Sequence, residues 1–325
     1  MDFYTPPAAN SAAPVVVVQG ENLLNAFLAD GSRVQNAFDH GLAALTHTND
    51  LAAAWLTLVK TNDVVGIKVY SAPGPLSGTR PAVVAAMVRG LLAAGLPPDH
   101  IIIWDKHAAD LRVAGFFQLG KMLGVRVAGA AETGYDENTF YLPESPVTGL
   151  LVWGDLEFGK KGDGVGKKSF VSKLVSQQIT KIISVAPLIN NNEASLCGHF
   201  YSLCLGSVDN TRRFEDDPDR LASALPEIYA LPSVGDKVTL LVTDALLAQY
   251  QGGPASFLQY STELDQLWLS RDPVALDTLG LKELARERQA AGVPPLWTNY
   301  QIYTNAVLLQ LGINDPARIH VEKVR

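Results

Sequence analysis

Cysteine is nearly absent: Cys197 and Cys204 are the only two in 325 residues, and no Cys-x-x-Cys spacing occurs. That argues against an iron–sulfur cluster held by cysteines of this chain. If the two share a helix, a rise of about 1.5 Å per residue sets them roughly 10 Å apart, beyond disulfide reach, so two buried thiols are expected. Long apolar runs are missing as well. None approaches the roughly 20 residues that span a bilayer, so no membrane span is expected. Met1 to Pro14 has neither a basic start nor an apolar segment, so no signal peptide is legible. The expected location is the cytoplasm, or outside it if a leader has been removed. Charge is sparse, at 18% of residues, with a net charge of −7. A nucleic-acid partner would want a basic face, which this balance does not supply. A small anionic ligand stays open, because local potential decides such binding. No internal repeat of fixed period is seen, and nothing in the sequence sets an oligomeric state.

What is present is a core-former. Hydrophobic residues make up 47% of the chain, enough for one large α/β unit or two domains. The stretch from Asp63 to His107 reads strand, Gly/Pro turn, helix, strand. Val64–Val69 is apolar apart from Lys68, and Thr79 with Arg80-Pro81 suits a helix start. Val83, Val84, Met87, Val88, Leu91 and Leu92 recur at helical spacing, and Ile101–Ile103 opens the next strand. Around this unit the pattern predicts strands at Pro14–Gln19, Val125–Ala128, Lys181–Pro187, Val238–Val242, Leu267–Leu269 and Arg318–Val324. Helices are predicted at Val34–Leu45, Asp50–Val59, Leu111–Leu123, Phe200–Leu205, Pro218–Tyr229, from Asp272-Pro273 onward, and at Ile302–Leu311; Glu21–Leu28 reads as a helical turn. Between Glu132 and Lys181 helical periodicity fades and glycine and proline punctuate short runs, with strands at Leu150–Trp153 and Phe170–Val175. The expected fold is α/β: a mostly parallel, Rossmann-like sheet with helices on both faces and a β-rich insertion. The expected division is 1–131 for the first half of the core, 132–180 for the insertion or small lobe, and 181–325 for the second half.

Ligands of such sheets sit outside the carboxyl ends of the strands, so the residues just after them are the candidates. Ser77, Gly78, Thr79 and Arg80 form a turn whose N–H groups and guanidinium suit a carboxylate or phosphate; a well-capped helix start reads equally well. Lys68, inside a strand, should have a partner or face a cleft. His107 beside Asp105 suits a general base or metal ligand, and a surface histidine is the plainer alternative. Asn190, Asn192, His199 and Asp244 follow other predicted strands. The metal and cofactor are not specified, since no three-ligand spacing occurs. Neither nucleotide fingerprint fits: Gly74–Gly78 is not Gly-x-Gly-x-x-Gly, and Gly159–Ser169 lacks the P-loop register and reads as a hairpin loop. Asp272 and Asp277, five apart, stand about 140° apart on a helix, so the former reads as a cap and the latter as an interior group.

Several segments together resemble the bacterial and archaeal family catalogued as domain of unknown function 362. They are Asp63–Val69, Thr79–Val84, Ala94–Asp105, Asp244 with Gly252-Gly253-Pro254, and Leu269–Asp277. Pro187–Glu193 and Leu203–Gly206 depart from the Lys-x-His and Lys-Asn pairs frequent in that family, and the iron–sulfur module of many members has no counterpart here. The opening unit is also similar to the N-terminal half of nickel-pincer lactate racemases, in the Thr79-Arg80-Pro81 turn and in His107, which falls near the histidine that moves the α-proton there. The resemblance implies a shared fold. For function the strand-end residues suggest an anionic ligand at the carboxyl edge, held by the Thr79–Arg80 turn, with acid/base chemistry such as racemisation or isomerisation in which His107, oriented by Asp105, moves a proton and Lys68 stabilises developing negative charge. A non-catalytic ligand- or partner-binding protein and a redox-associated metal or cluster partner are the alternatives.

Overall fold

The computed structural model describes residues 12–142, 168–295 and 297–325. Strand β1 (Ala13–Gln19) is followed by a short ribbon, β2 (Leu24–Asn25) and β3 (Leu28–Ala29), where a helical turn is predicted from sequence. Helices α1 (Gly31–Thr46) and α2 (Leu51–Leu56) follow. Asp30 and Asp50 cap them, each accepting two backbone N–H groups of the first turn. The central unit is β4 (Val65–Val69), the single turn α3 (Gly74–Ser77), α4 (Pro81–Ala93) and β5 (Ile101–Asp105). Next come α5 (Ala108–Val113) and α6 (Phe116–Leu123), two helices where the periodicity predicts one. Gly115, at φ +87°, breaks them.

Strand β6 (Arg126–Gly129), the turn α7 (Ala130–Thr133) and β7 (Tyr135–Tyr141) follow, then β8 (Ser169–Ser172). β7 and β8 pair with each other, antiparallel, and not with the main sheet. The strand predicted over Phe170–Val175 stops at Ser172, and Leu174–Gln178 is a π-helical turn. The predicted strand Leu150–Trp153, and the lysine–glycine loop up to residue 167, lie outside the described residues. The second half runs β9 (Lys181–Asn191), β10 (Ser195–Leu196), α8 (His199–Ser207), α9 (Pro218–Tyr229), β11 (Val238–Gln249), β12 (Ser261–Ser270), α10 (Pro273–Ala290), α11 (Tyr300–Leu308) and β13 (Ile319–Val324). Asp217 and Asp272 cap α9 and α10, each with proline at the first helical position.

The main sheet has the order β13-β1-β12-β11-β9-β4-β5-β6, with β10 added to β9. Every pair along it is parallel except the two that β12 makes. The chain is therefore an α/β protein with a mostly parallel, Rossmann-like sheet. Because β12 runs backwards, Ser270, Arg271 and Asp272 lie at the opposite edge from the ends of β4, β5, β9 and β11. Sequence order alone puts all five strand ends on one edge; the strand's direction removes one of them.

Alternation along each strand divides the sheet's side chains between two layers. Val65, Ile67, Val69, Ile101, Ile103, Ile183 and Val185 pack with α1, α2, α4 and α6. Ile102, Trp104, Ile182 and Leu241 face the other way and pack with α8, α9, α10 and α11. Both cysteines are buried and free, as expected, though Cys197 precedes α8 and they do not share a helix.

Between these layers and the sheet edge sits a helix start with an uncommon cap. Asp277 of α10, 2% exposed, accepts from His199 N at 2.8 Å and Phe200 N at 3.2 Å, the first two amides of α8. The approach is close enough to require Gly198: an added Cβ there would stand 2.3 Å from Asp277 Oδ1. Gly198→Ala is expected to lower unfolding free energy by about 1–3 kcal/mol, the usual cost of an inserted methyl in a packed site. Urea denaturation checks this, and an unchanged midpoint would show that the carboxylate does not hold α8 in this way.

Candidate functional site

The order β6-β5-β4-β9 places a topological switch between β4 and β9, because the chain builds outward from β4 on one side and returns on the other. At the carboxyl ends of β4 and β5, under α8, lies a cavity of about 650 Å³. Asp105, Lys106, His107 and Asp110 line it from the end of β5 and α5, and Tyr201, Ser202 and Gly206 line it from α8. Tyr70, Tyr135, Asp209, Asn210, Thr211, Arg212 and Glu215 complete the polar part of the wall.

Beneath it is Lys68, wholly buried. Its side chain faces the α8 layer because it alternates with Ile67 and Val69. The ammonium has three donors and meets three oxygens: Asp105 Oδ1 at 2.8 Å, Val69 O at 2.6 Å and Ser202 Oγ at 3.1 Å. Burial pulls its pKa down, and the Asp105 carboxylate opposes that shift. Gly206 is required beside it, since a Cβ there would stand 2.2 Å from Lys68 Cε. So Lys68 does not reach a ligand; it fixes Asp105.

Asp105 is correspondingly full. Oδ1 also accepts Lys106 N at 2.8 Å, and Oδ2 accepts Ser71 N at 2.7 Å and Ser71 Oγ at 2.6 Å. With Lys68 this makes four bonds, the capacity of a carboxylate. The expected Asp105–His107 pairing is therefore absent, and the carboxylate turns inward instead. His107 is exposed at the cavity mouth, at the start of α5. One turn on, Asp110 also lines the cavity; burial raises its pKa, Asp105 adds to the rise and His107 opposes it. Lys106 Nζ donates to Thr211 Oγ1 at 2.8 Å, and that hydroxyl donates to Glu215 Oε2 at 2.8 Å. Burial lowers the Lys106 pKa, opposed first by Glu215. Burial raises both Tyr70 and Tyr201, which keeps the phenols protonated.

The Thr79–Arg80 turn does not join this cavity. Arg80 Nη1 binds Asp244 Oδ1 at 2.9 Å, Arg80 N binds Asp244 Oδ2 at 2.9 Å, and Nη2 binds Leu76 O at 2.8 Å. Both ions are buried, on the α4 face of the sheet. Asp244 follows Val242 by two residues in β11 and so shares its face, opposite to that of Lys68. Thr79 Oγ1 donates to Val185 O at 2.8 Å and accepts Tyr70 N at 2.9 Å. Gly78 N bonds Gly74 O, and Ser77 Oγ meets Ser256 Oγ at 2.8 Å. The expected anion turn is thus a buried lock between β4, β9 and β11. The expected ligand role of His199 is corrected as well. It is wholly buried between Ser184 Oγ (2.9 Å from Nδ1) and Thr243 Oγ1 (3.2 Å from Nε2), and burial drives its pKa down to about 3. Asn192 is exposed in a turn, and Asn190 lines a different cavity, between β9 and α10.

Of the predicted residues, then, Asp105 and His107 line the cavity and Lys68 supports it. Lys106, Asp110, Tyr201, Ser202, Asp209, Asn210, Thr211, Arg212 and Glu215 also line it, with no sequence spacing that marks them. Among the described residues no group of three or more His, Cys, Asp or Glu side chains is placed to hold a metal ion, and no helix is long and apolar enough to cross a membrane.

No family model matches the chain, and no curated protein matches it. Among solved structures it is similar to the crystal structure of a Thermotoga maritima protein from a structural-genomics programme, at a TM-score of 0.43 and 11% identity. The match covers 82% of this chain and 60% of that one, so the chain spans less than two thirds of that protein's length.

Two outcomes follow from this geometry. Lys68→Met is expected to cost about 3–5 kcal/mol, because it strands a buried carboxylate. Lys68→Met with Asp105→Asn, which removes the charge, should recover much of that loss in urea unfolding. The second concerns pH. His199 has a folded pKa near 3 against 6.5 for the ordinary group, so its contribution is present above pH 6.5 and is lost as pH falls toward 3. At pH 4.5 that amounts to about 2–3 kcal/mol. His199→Gln should therefore lose less stability than the parent between pH 7 and 4.5. Asp277, raised by burial to about 7, acts in the opposite sense, its contribution fading as pH rises through 7.

Proposed function

We propose that this protein binds a small carboxylate-bearing ligand in the cavity at the carboxyl ends of β4 and β5, and carries out acid/base isomerisation on it. The observation that carries the reading is the buried Lys68–Asp105 pair in the cavity floor, on β4 and β5 beside the switch point of the sheet. A buried ion pair is weak as a stabiliser and is a common mark of a site. Here it holds the carboxyl end of β5 in one geometry, so that Lys106 and His107 project from a rigid base.

The wall suits a ligand that is anionic at one end and hydroxylated or aminated at the other. Lys106 and the exposed Arg212 favour the carboxylate. Glu215 and the phenols of Tyr70, Tyr135 and Tyr201 favour a hydroxyl or amine. His107 and Asp110 are the groups to move a proton: an imidazole at the mouth, and a carboxyl whose pKa is raised by burial. In this role Lys68 and Asp105 are positioning residues. The likeness of His107 to the proton-moving histidine of the racemase pattern supports the same class of reaction.

The test is exchange of the α-proton of 2-hydroxy and 2-amino acids in D2O, followed by proton NMR. The reading expects exchange for at least one such acid. His107→Ala should slow it by about 100-fold or more, the usual contribution of a general base, while calorimetric affinity stays within a few-fold. Binding with no exchange would leave a binding protein and remove the catalytic part; no binding by any acid in the panel would remove both.

A further inference from the structure

A second cavity, of about 480 Å³, lies between the ends of β9 and β11 and the C-terminal half of α10. That is within the usual range of about 300–1,000 Å³ for small-molecule pockets. It shares no lining residue with the cavity at β4 and β5. Leu281, Leu284 and Val293 give it an apolar wall, and Tyr250 adds a ring.

Two polar groups in that wall are incompletely satisfied. Asn190 is 2% exposed, and its Oδ1 accepts Gly253 N at 2.9 Å. That bond fixes which end of the amide is which, because an N–H must meet the oxygen. The remaining Nδ2 has no partner. The Gly252-Gly253-Pro254 segment, prominent in the sequence, thereby orients Asn190: a Cβ on Gly253 would stand 1.8 Å from Asn190 O. The second group is Arg288, 7% exposed. Its Nη1 donates to Tyr250 O at 2.8 Å, and Nε and Nη2 donate to Pro294 O at 3.1 and 2.6 Å. Three of its five N–H groups are used, leaving one on each terminal nitrogen. Among the described residues no carboxylate pairs with it; the neighbouring Glu287 pairs with Arg286. A buried guanidinium held only by carbonyl oxygens lacks the counter-charge that such groups ordinarily have.

We propose that this cavity binds a monocarboxylate with an apolar tail, its head meeting Arg288 and the Asn190 amide and its tail lying against Leu281, Leu284 and Val293. The carboxylate supplies the missing charge and accepts the unused N–H groups; the apolar wall covers the tail. The site is independent of the cavity at β4 and β5, and loss of either reading leaves the other standing.

The experiment is calorimetric titration of the full chain with decanoate, 3-phenylpropionate, decanol and acetate. Decanoate or 3-phenylpropionate should saturate one site, and the tighter of the two reports an aliphatic or an aryl tail. Decanol and acetate, lacking the head or the tail, should bind at least about tenfold more weakly, as expected for loss of a charged hydrogen bond or of the apolar contact. Asn190→Asp keeps the acceptor for Gly253 N and sets a negative charge toward the head; it should weaken binding about tenfold or more. Leu284→Trp, which fills the cavity without touching either polar group, should do the same. Absence of saturable binding by both acids to the unmodified chain overturns the proposal. So does decanol binding as tightly as decanoate, or full affinity in a folded Leu284→Trp variant.

Discussion

The ion pair between Lys68 and Asp105 is the contact on which the rest of this architecture turns. Moving a lysine and an aspartate out of water costs several kcal/mol each, and attraction between them offsets this only when every donor and acceptor is also met. Here every one is. Three oxygens surround the ammonium, and four hydrogens surround the carboxylate. Meeting those demands ties together four segments: the end of β4, the Ser71 turn after it, the end of β5, and α8 through Ser202. It also dictates Gly206, because no side chain fits where the lysine passes under the helix.

The start of α8 is set by Asp277. That carboxylate reaches from α10 to the first amides of α8, and Gly198 gives it room. A helix anchored in its first half by two buried carboxylates, one directly at His199 and Phe200 and one through Lys68 at Ser202, holds Tyr201 and Ser202 over the cavity with little freedom. The Arg80–Asp244 pair does comparable work on the opposite face, tying the start of α4 to β11. Two buried ion pairs on opposite faces of one sheet thus act differently. One lies sealed beneath α4, and the other forms the floor of a cavity.

Much of this fold is legible in local sequence. Apolar runs of strand length mark β1, β4 and β5, and Asp50 and Asp272 before helical patterns mark two helix starts. The interior role of Asp277 follows from its angle to Asp272 on the same helix. The site is less legible, for a physical reason. Lys68, Arg80, Asp105 and Asp244 are conspicuous as charges within or beside apolar strands, but their partners are set by which strands neighbour one another and by which face each residue takes. Arg80 and Asp244 are 164 residues apart, and nothing local couples them, so a buried lock reads as an anion-binding turn. Tyr201, Ser202 and Gly206 sit in an apolar helix with no spacing of their own, and become visible only once α8 lies over Lys68. The reversal of β12 is likewise a property of the sheet, and it moves Arg271 and Asp272 to the far edge.

The central claim is that ligand recognition sits at the cavity over Lys68 and Asp105 and not at the Thr79–Arg80 turn. Backbone amide NMR during titration with a 2-hydroxy or 2-amino acid separates the two. The account predicts shifts at Lys106, His107, Tyr201 and Ser202, with Thr79 and Arg80 unmoved. Shifts centred on Gly78, Thr79 and Arg80, with the cavity residues silent, would contradict it.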